Sequence, residues 1–333
     1  MPEGILWLPL IAVLILILAA EFVNGWTDSP NAIATVVSTR VLAPHHAVAM
    51  AAVLNIVGAL VTGTAVAATI GKGIVKPEVI DLTVVAAAML TIVLWSTVAW
   101  YFGIPTSESH ELIAGLTGAG FAAAGSQVLL WEGWQKVLLG LGFSTILGFV
   151  LSISLMTIIY WLFRRTGLAT VRNTFGRAQM LSAAFMAFSH GSNDGQKFMG
   201  VFSLALVLGG VMPQFHVPLW VIILCGTVMG LGTAIGGWRI IRTMGFKMTK
   251  LEPVSGFAAE SAAGMSIMLA SSLGIPLSTT HTINIAIMGV GSARRFSAVR
   301  WGVAGNIVTA WILTFPVCAI LGYLLTLLLK LIF

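Results

Sequence analysis

Most of this chain is laid out in apolar stretches about as long as a bilayer is thick. They run approximately over 5–41, 46–70, 82–104, 111–130, 137–163, 178–209, 217–238, 255–275, 281–292 and 301–329. About 20 residues of helix cross a hydrocarbon core. The stretches are continuous rather than alternating and are rich in Ala, Leu and Gly, which excludes the dyad pattern of a barrel strand. Only 8% of the 333 residues are charged, against roughly a quarter in a soluble domain. The expected fold is therefore an all-α polytopic membrane protein with no soluble domain attached.

Composition also excludes several functions. The net charge of +6 is no nucleic-acid footprint, because the basic residues sit in short loops, where they orient membrane proteins. Cys225 and Cys318 both lie inside apolar runs and read as small hydrophobes. No CxxC, zinc-ligand spacing or haem motif occurs, and no cofactor is expected. The first apolar run lacks a basic leader, so it reads as a mature helix rather than a signal peptide.

Two kinds of polar string interrupt the apolar background, and each occurs twice. Asn24 to Asn31 has a relative at His190 to Lys197, and Pro105 to His110 has a relative at Pro276 to His281. Polar and ionisable groups are costly at membrane depth and mark transport pathways. Segments 5–41 and 178–209 are too long for one span. Each holds one string of the first kind, with Gly25, Pro30, Gly191 and Gly195, so both are expected to be broken helices.

Positive charge sets an expected topology. The basic loops contain Arg40, then Arg164, Arg165, Arg172 and Arg177, then Arg239 to Lys250, then Arg294 to Arg300. Placing them on the cytoplasmic side leaves both termini outside. It also makes the second half an upside-down copy of the first. The expected organisation is an inverted repeat, 1–163 and 178–333, joined by a basic cytoplasmic connector, 164–177. The excursions over 82–130 and 255–292 are either pairs of full spans joined by a tight external turn or re-entrant hairpins; the hairpins are favoured, because the tips are polar, carry no Lys or Arg and resemble each other.

The tips share the frame Gly-Ile-Pro-x-Ser-x-(Ser/Thr)-His. Proline ends the incoming helix and a hydroxyl caps the outgoing one. A helix N-terminus offers free N–H groups to an oxyanion. Thr106, Ser107, Ser109, Ser278, Thr279 and Thr280, with Gln196, are the candidate donors to a tetrahedral anion. Asn24, Asp28, Asn31, Asn193 and Asp194 supply hard oxygens for a small cation. Glu260, buried in an apolar segment, is a further cation or proton candidate. A dianion beside two carboxylates is repelled at low dielectric. Cations at the acids remove that repulsion, so both ligands bind favourably only together, which is the basis of symport. His110, His190 and His281 read as local caps or anion contacts, and Lys197 as the partner of an acid. Asn55 reads as an interhelical hydrogen bond. Glu108 and Glu111 read either as lining a mouth or as simply solvated.

At these residues the chain resembles the PiT family of inorganic phosphate transporters. The resemblance rests on Gly25 to Asp28, Gly191 to Asp194, Pro105 to His110 and Pro276 to His281. Thr27 stands where that family commonly has Asn. The resemblance implies secondary transport of orthophosphate in the inner (plasma) membrane, coupled to sodium or protons. By position it makes Asp28 and Asp194 cation ligands and the tip hydroxyls phosphate donors. It also admits metal–phosphate complexes and sulfate as cargo, and exposed small-residue faces are compatible with a homodimer. An intramembrane hydrolase lacks support, since no GxSxG or HExxH motif is present. An anion channel would differ in needing no cation gradient.

Overall fold

The computed structural model describes residues 7–332. The beginning of the first apolar segment and residue 333 lie outside the described residues, as do the two terminal positions whose side of the membrane was expected. The described residues form fourteen α-helices and no strand, apart from one isolated antiparallel bridge between Val75 and Leu129. In chain order these are α1 (Trp7–Thr27), α2 (Ala34–Ser38), α3 (Pro44–Val61), α4 (Ala65–Gly73), α5 (Leu82–Phe102), α6 (Glu108–Ala124) and α7 (Trp131–Gly142). There follow α8 (Gly148–Phe163), α9 (Leu168–Leu208), α10 (Leu219–Ile235), α11 (Trp238–Arg242), α12 (Pro253–Ser272), α13 (Thr279–Arg294) and α14 (Trp301–Ile332).

Among the described residues, five stretches are long and apolar enough to cross a bilayer: Trp7–Ala32, Pro44–Val61, Leu82–Phe102, Trp131–Phe163 and Trp301–Ile332. The pair Leu219–Ile235 and Trp238–Lys247, bent by 60°, makes a sixth if taken as one span. The arms that follow the tips are short. α6 has 17 residues and α13 has 16, roughly 25 Å of helix each at 1.5 Å per residue.

The first polar string interrupts its helix as expected. α1 stops at Thr27, a 3-10 turn covers Ser29–Ala32, and α2 resumes at Ala34. Pro30 has no N–H to donate back. The second expected break is absent, because α9 runs unbroken for 41 residues. This string contains no proline, and its glycines serve another purpose. A Cβ on Gly191 would stand 2.2 Å from the carbonyl oxygen of Asn55 in α3. Its counterpart on Gly25 would stand 2.1 Å from that of Met229 in α10. These glycines let two helix backbones touch, and the cost of glycine within a helix, about 1 kcal/mol, is met by that close packing. From Leu168 onward the basic stretch 164–177 forms the start of α9.

The segment 46–70, expected to be one helix, is two, and a further short helix follows the segment 217–238. After α3 the turn Thr62–Thr64 leads into α4, and after α10 a turn at Gly236 leads into α11. The incoming arms end at a glycine rather than at the proline. Gly103 and Gly274 adopt φ of 68° and 65°, and Ile104 and Ile275 each donate back 2.9 Å to Ala99 and Ala270. That left-handed glycine cap closes the helix two residues before the proline.

Packing divides the apolar core into two clusters. One contains Leu10 to Ala20 of α1, Ala59 of α3 and Phe198 to Leu206 of α9. The other contains Ala32 to Val37, Ala47 to Ala51 of α3 and Ala183 to Ala187 of α9. Along all three paths the polar residues lie between the clusters, as one buried layer.

Candidate functional site

The two tips bring α6 and α13 nose to nose within this layer. Ser107 and Ser278 cap them, accepting from His110 N at 3.4 Å and His281 N at 3.1 Å. The His110 and His281 rings meet at 4.5 Å between centroids. Ser109 of the first tip donates to the Leu277 carbonyl of the second at 2.9 Å. Trp311 of α14 stacks on His281 and donates to the Pro105 carbonyl at 2.9 Å, holding both tips from behind.

Each aspartate meets a hydroxyl of the second tip. Thr280 donates to Asp28 Oδ1, and Thr279 donates to Asp194 Oδ2 at 3.1 Å. Asn31 Nδ2 donates both to Asp28 and, at 2.7 Å, to Thr280. Lys197 Nζ donates to Asp194 Oδ1, to Ser109 and, at 3.1 Å, to the Leu277 carbonyl. His190 stands 3.5 Å from Asp194 Oδ2 and pairs its other nitrogen with Asn55 Oδ1 at 3.2 Å. Asp28, His190 and Asp194 each offer a ligand atom within 4.8 Å of the others. All of these groups are at most 2% exposed. The two strings, 166 positions apart in sequence, therefore form a single site with the tips.

Not every expected site residue joins it. Gln196 has both ends engaged by backbone groups, accepting from Val66 N at 2.9 Å and donating to the Ser192 carbonyl at 2.6 Å; it braces the start of α4. Asn193 donates to Ser271 at 2.9 Å and accepts from Leu277 N at 3.4 Å, so its amide holds the second tip in place. Thr106 is half-buried beside the Glu111 carboxylate. Asn24 does stay with the site, its Nδ2 donating to Glu21 at 3.3 Å while its Oδ1 is left unpaired on the first-string side. Glu260 lies in a separate buried cluster, accepting from Thr35, Ser182 and Gln179. There it ties α12 to α2 and α9.

Other residues of the layer depart from the sequence expectation or had none. Glu108 and Glu111 are 2% and 0% exposed, so they form no solvated mouth. Glu108 accepts from Thr27, and Glu111 from Ser96. Glu21, fully buried in α1, was hidden in an apolar run. An ionisable residue there is functional by default, and that signal was available. On the first-string side several buried oxygens have no hydrogen-bond partner: Glu21 Oε1, Asn24 Oδ1, Asp28 Oδ2, Asn31 Oδ1 and Glu108 Oε2. Unpaired hard oxygens at this depth are costly, and they form a donor set suited to a small cation.

Comparison with known proteins gives one consistent picture. The profile of the "Phosphate transporter family" matches residues 24–170 and again 164–322. A "Probable low-affinity inorganic phosphate transporter" of Rhizobium meliloti (strain 1021) is 46% identical over 324 residues, 97% of each chain. Its namesake in Bacillus subtilis (strain 168) is 42% identical over 97% of this chain and 98% of that one. A solved structure described as "The sodium-dependent phosphate transporter" superposes with a TM-score of 0.87 at 27% identity, covering 98% of this chain and all of that chain. Matched nearly end to end and carrying the paired strings in one buried layer, the chain belongs to the PiT family of phosphate transporters, which are carriers and not enzymes.

Proposed function

We propose that this protein is a multi-pass symporter of the prokaryotic inner membrane, moving inorganic phosphate together with a cation, sodium by preference, by alternating access. One observation carries the reading: the hydroxyls of a helix-capping tip bind the very carboxylates that a cation would occupy, Thr280 on Asp28 and Thr279 on Asp194. Anion donors and cation ligands thus share one buried layer. A phosphate entering it meets two carboxylates and is repelled unless cations accompany it. The solved neighbour is a sodium-dependent phosphate transporter, which favours sodium.

The reading includes an inverted repeat with two re-entrant hairpins. Its support is that helix packing recurs in matched pairs. α1 packs on α10 and α5, while α9 packs on α3 and α12; α6 packs on α14, and α13 on α8. The short helices reciprocate as well. Thr69 of α4 donates to the Gly274 carbonyl at the second tip at 2.8 Å, and Thr243, just beyond α11, donates to Gly103 at the first tip at 2.8 Å. Two tips that touch inside a buried layer fit hairpins that stop at mid-depth. With the layer closed by the tips, access from either side requires them to part, which suits rocking of one half on the other.

The test is uptake of radiolabelled phosphate into proteoliposomes, with sodium and pH gradients imposed separately. Uptake driven by the sodium gradient, and reduced in Asp28→Asn, is the expected result. Flux that follows membrane potential alone defines a channel. A second reading, proton coupling, draws on the five buried carboxylates Glu21, Asp28, Glu108, Glu111 and Asp194 around a single ammonium, and the pH-gradient arm reads it directly.

A further inference from the structure

Asn31 and Lys197 each stand three residues after the aspartate of their string. Their contacts match. Asn31 Nδ2 bridges Asp28 Oδ1 and Thr280 Oγ1. Lys197 Nζ bridges Asp194 Oδ1 and Ser109 Oγ. Ser109 and Thr280 hold the same place in their tips, immediately before the histidine. One position of a repeated geometry is therefore filled by a neutral amide in the first half and by an ammonium in the second.

We infer that Lys197 is a tethered cation: it occupies the position that a mobile cation would otherwise take at Asp194 and so lowers by one the number of cations the carrier must bind per phosphate. The contacts of Nζ are all oxygens, a carboxylate, a hydroxyl and a backbone carbonyl, the ligand types of a hard monovalent ion. Lys197 is 1% exposed, so its charge is neutralised within the layer rather than by solvent. Both oxygens of Asp194 are engaged, by Lys197 and by Thr279. Asp28 instead keeps Oδ2 without a partner, alongside the unpaired oxygens of Asn31, Asn24 and Glu21. The mobile cation accordingly binds on the Asp28 side, and the two halves are unequal in charge though matched in shape. The ammonium also reaches both tips at once, through Ser109 and Leu277, which places a fixed positive charge where the anion donors converge.

This assignment rests on the cation-coupled reading above, and the experiment separates the two. Sodium, proton and phosphate fluxes are measured per transport event in proteoliposomes for wild type, Lys197→Asn, Lys197→Arg and Asn31→Lys. In Lys197→Asn about one further cation moves per phosphate, and the cation dependence steepens by about one in Hill slope. Asn31→Lys shows the opposite, with about one cation fewer and phosphate uptake less dependent on the gradient. Lys197→Arg keeps the wild-type ratio. A structural role for Lys197 would change rates and protein yield without changing the ratio. If Lys197→Asn and Asn31→Lys both transport at the wild-type ratio, the assignment is overturned. Should Lys197→Asn fail to fold, Asn31→Lys alone decides by the same criterion. Wild-type uptake indifferent to every cation gradient overturns the coupled reading itself.

Discussion

The two aspartates look equivalent in sequence, yet replacing them is predicted to have unequal consequences. Asp194 neutralises Lys197, which is 1% exposed. Asp194→Asn leaves that ammonium with neutral acceptors alone, the new amide oxygen, Ser109 and the Leu277 carbonyl. Removing one partner of a buried pair costs roughly 3–5 kcal/mol. At roughly 2.1 cal/mol/K per residue, 333 residues correspond to an unfolding entropy of about 0.7 kcal/mol/K, so the midpoint falls by about 4–7 °C. Asp28 faces the neutral donors Thr280 and Asn31, so Asp28→Asn forfeits no ion pair and shifts stability by about 1 kcal/mol. The assay is thermal unfolding of detergent-purified protein, followed by tryptophan fluorescence, with Asp194→Asn/Lys197→Gln as the neutralised double variant. The double variant should recover most of the loss, giving a coupling energy of about 2 kcal/mol or more. Equal melting of Asp28→Asn and Asp194→Asn, or no recovery in the double variant, would refute the argument that Asp194 chiefly balances Lys197.

Other perturbations follow from single contacts. Gly118→Ala should abolish recovery of monodisperse protein on size-exclusion chromatography, because its Cβ would lie 1.8 Å from the Ala319 carbonyl of α14. Thr280→Val removes the hydroxyl shared by Asp28 and Asn31 and should reduce phosphate uptake more than tenfold, about 1.4 kcal/mol or more, as for a lost bond to a charged group. The control Thr282→Val loses only a bond to the Ser278 carbonyl one turn back and should transport within about twofold of wild type. Glu260→Gln puts an amide among three donors, Thr35, Ser182 and Gln179, and should lower the unfolding midpoint by the equivalent of about 1–3 kcal/mol.

The all-helical membrane fold was legible because hydropathy is a local property: a run of about 20 apolar residues can satisfy its backbone in lipid only as a helix. The tip frame was legible for the same reason, since capping by Ser107 and Ser278 is decided within four residues. The break at Pro30 also followed from one residue. The continuity of α9 did not. Gly191 suits either a break or a close helix crossing, and only the approach of Asn55 from α3 distinguishes them.

The sequence by itself determined that polar strings lie among membrane segments and that they come in pairs, since apolar flanks carry a polar string into the membrane wherever the chain then goes. Tertiary structure alone decided which of those groups meet. It joined Asp28 to Thr280 and Lys197 to Ser109, turned Gln196 towards α4 and enclosed Glu108 and Glu111. The physical reason is that a hydrogen bond or an ion pair depends on distance in space. Residues 252 positions apart come within bonding range only through the crossing of helices, which no local pattern encodes.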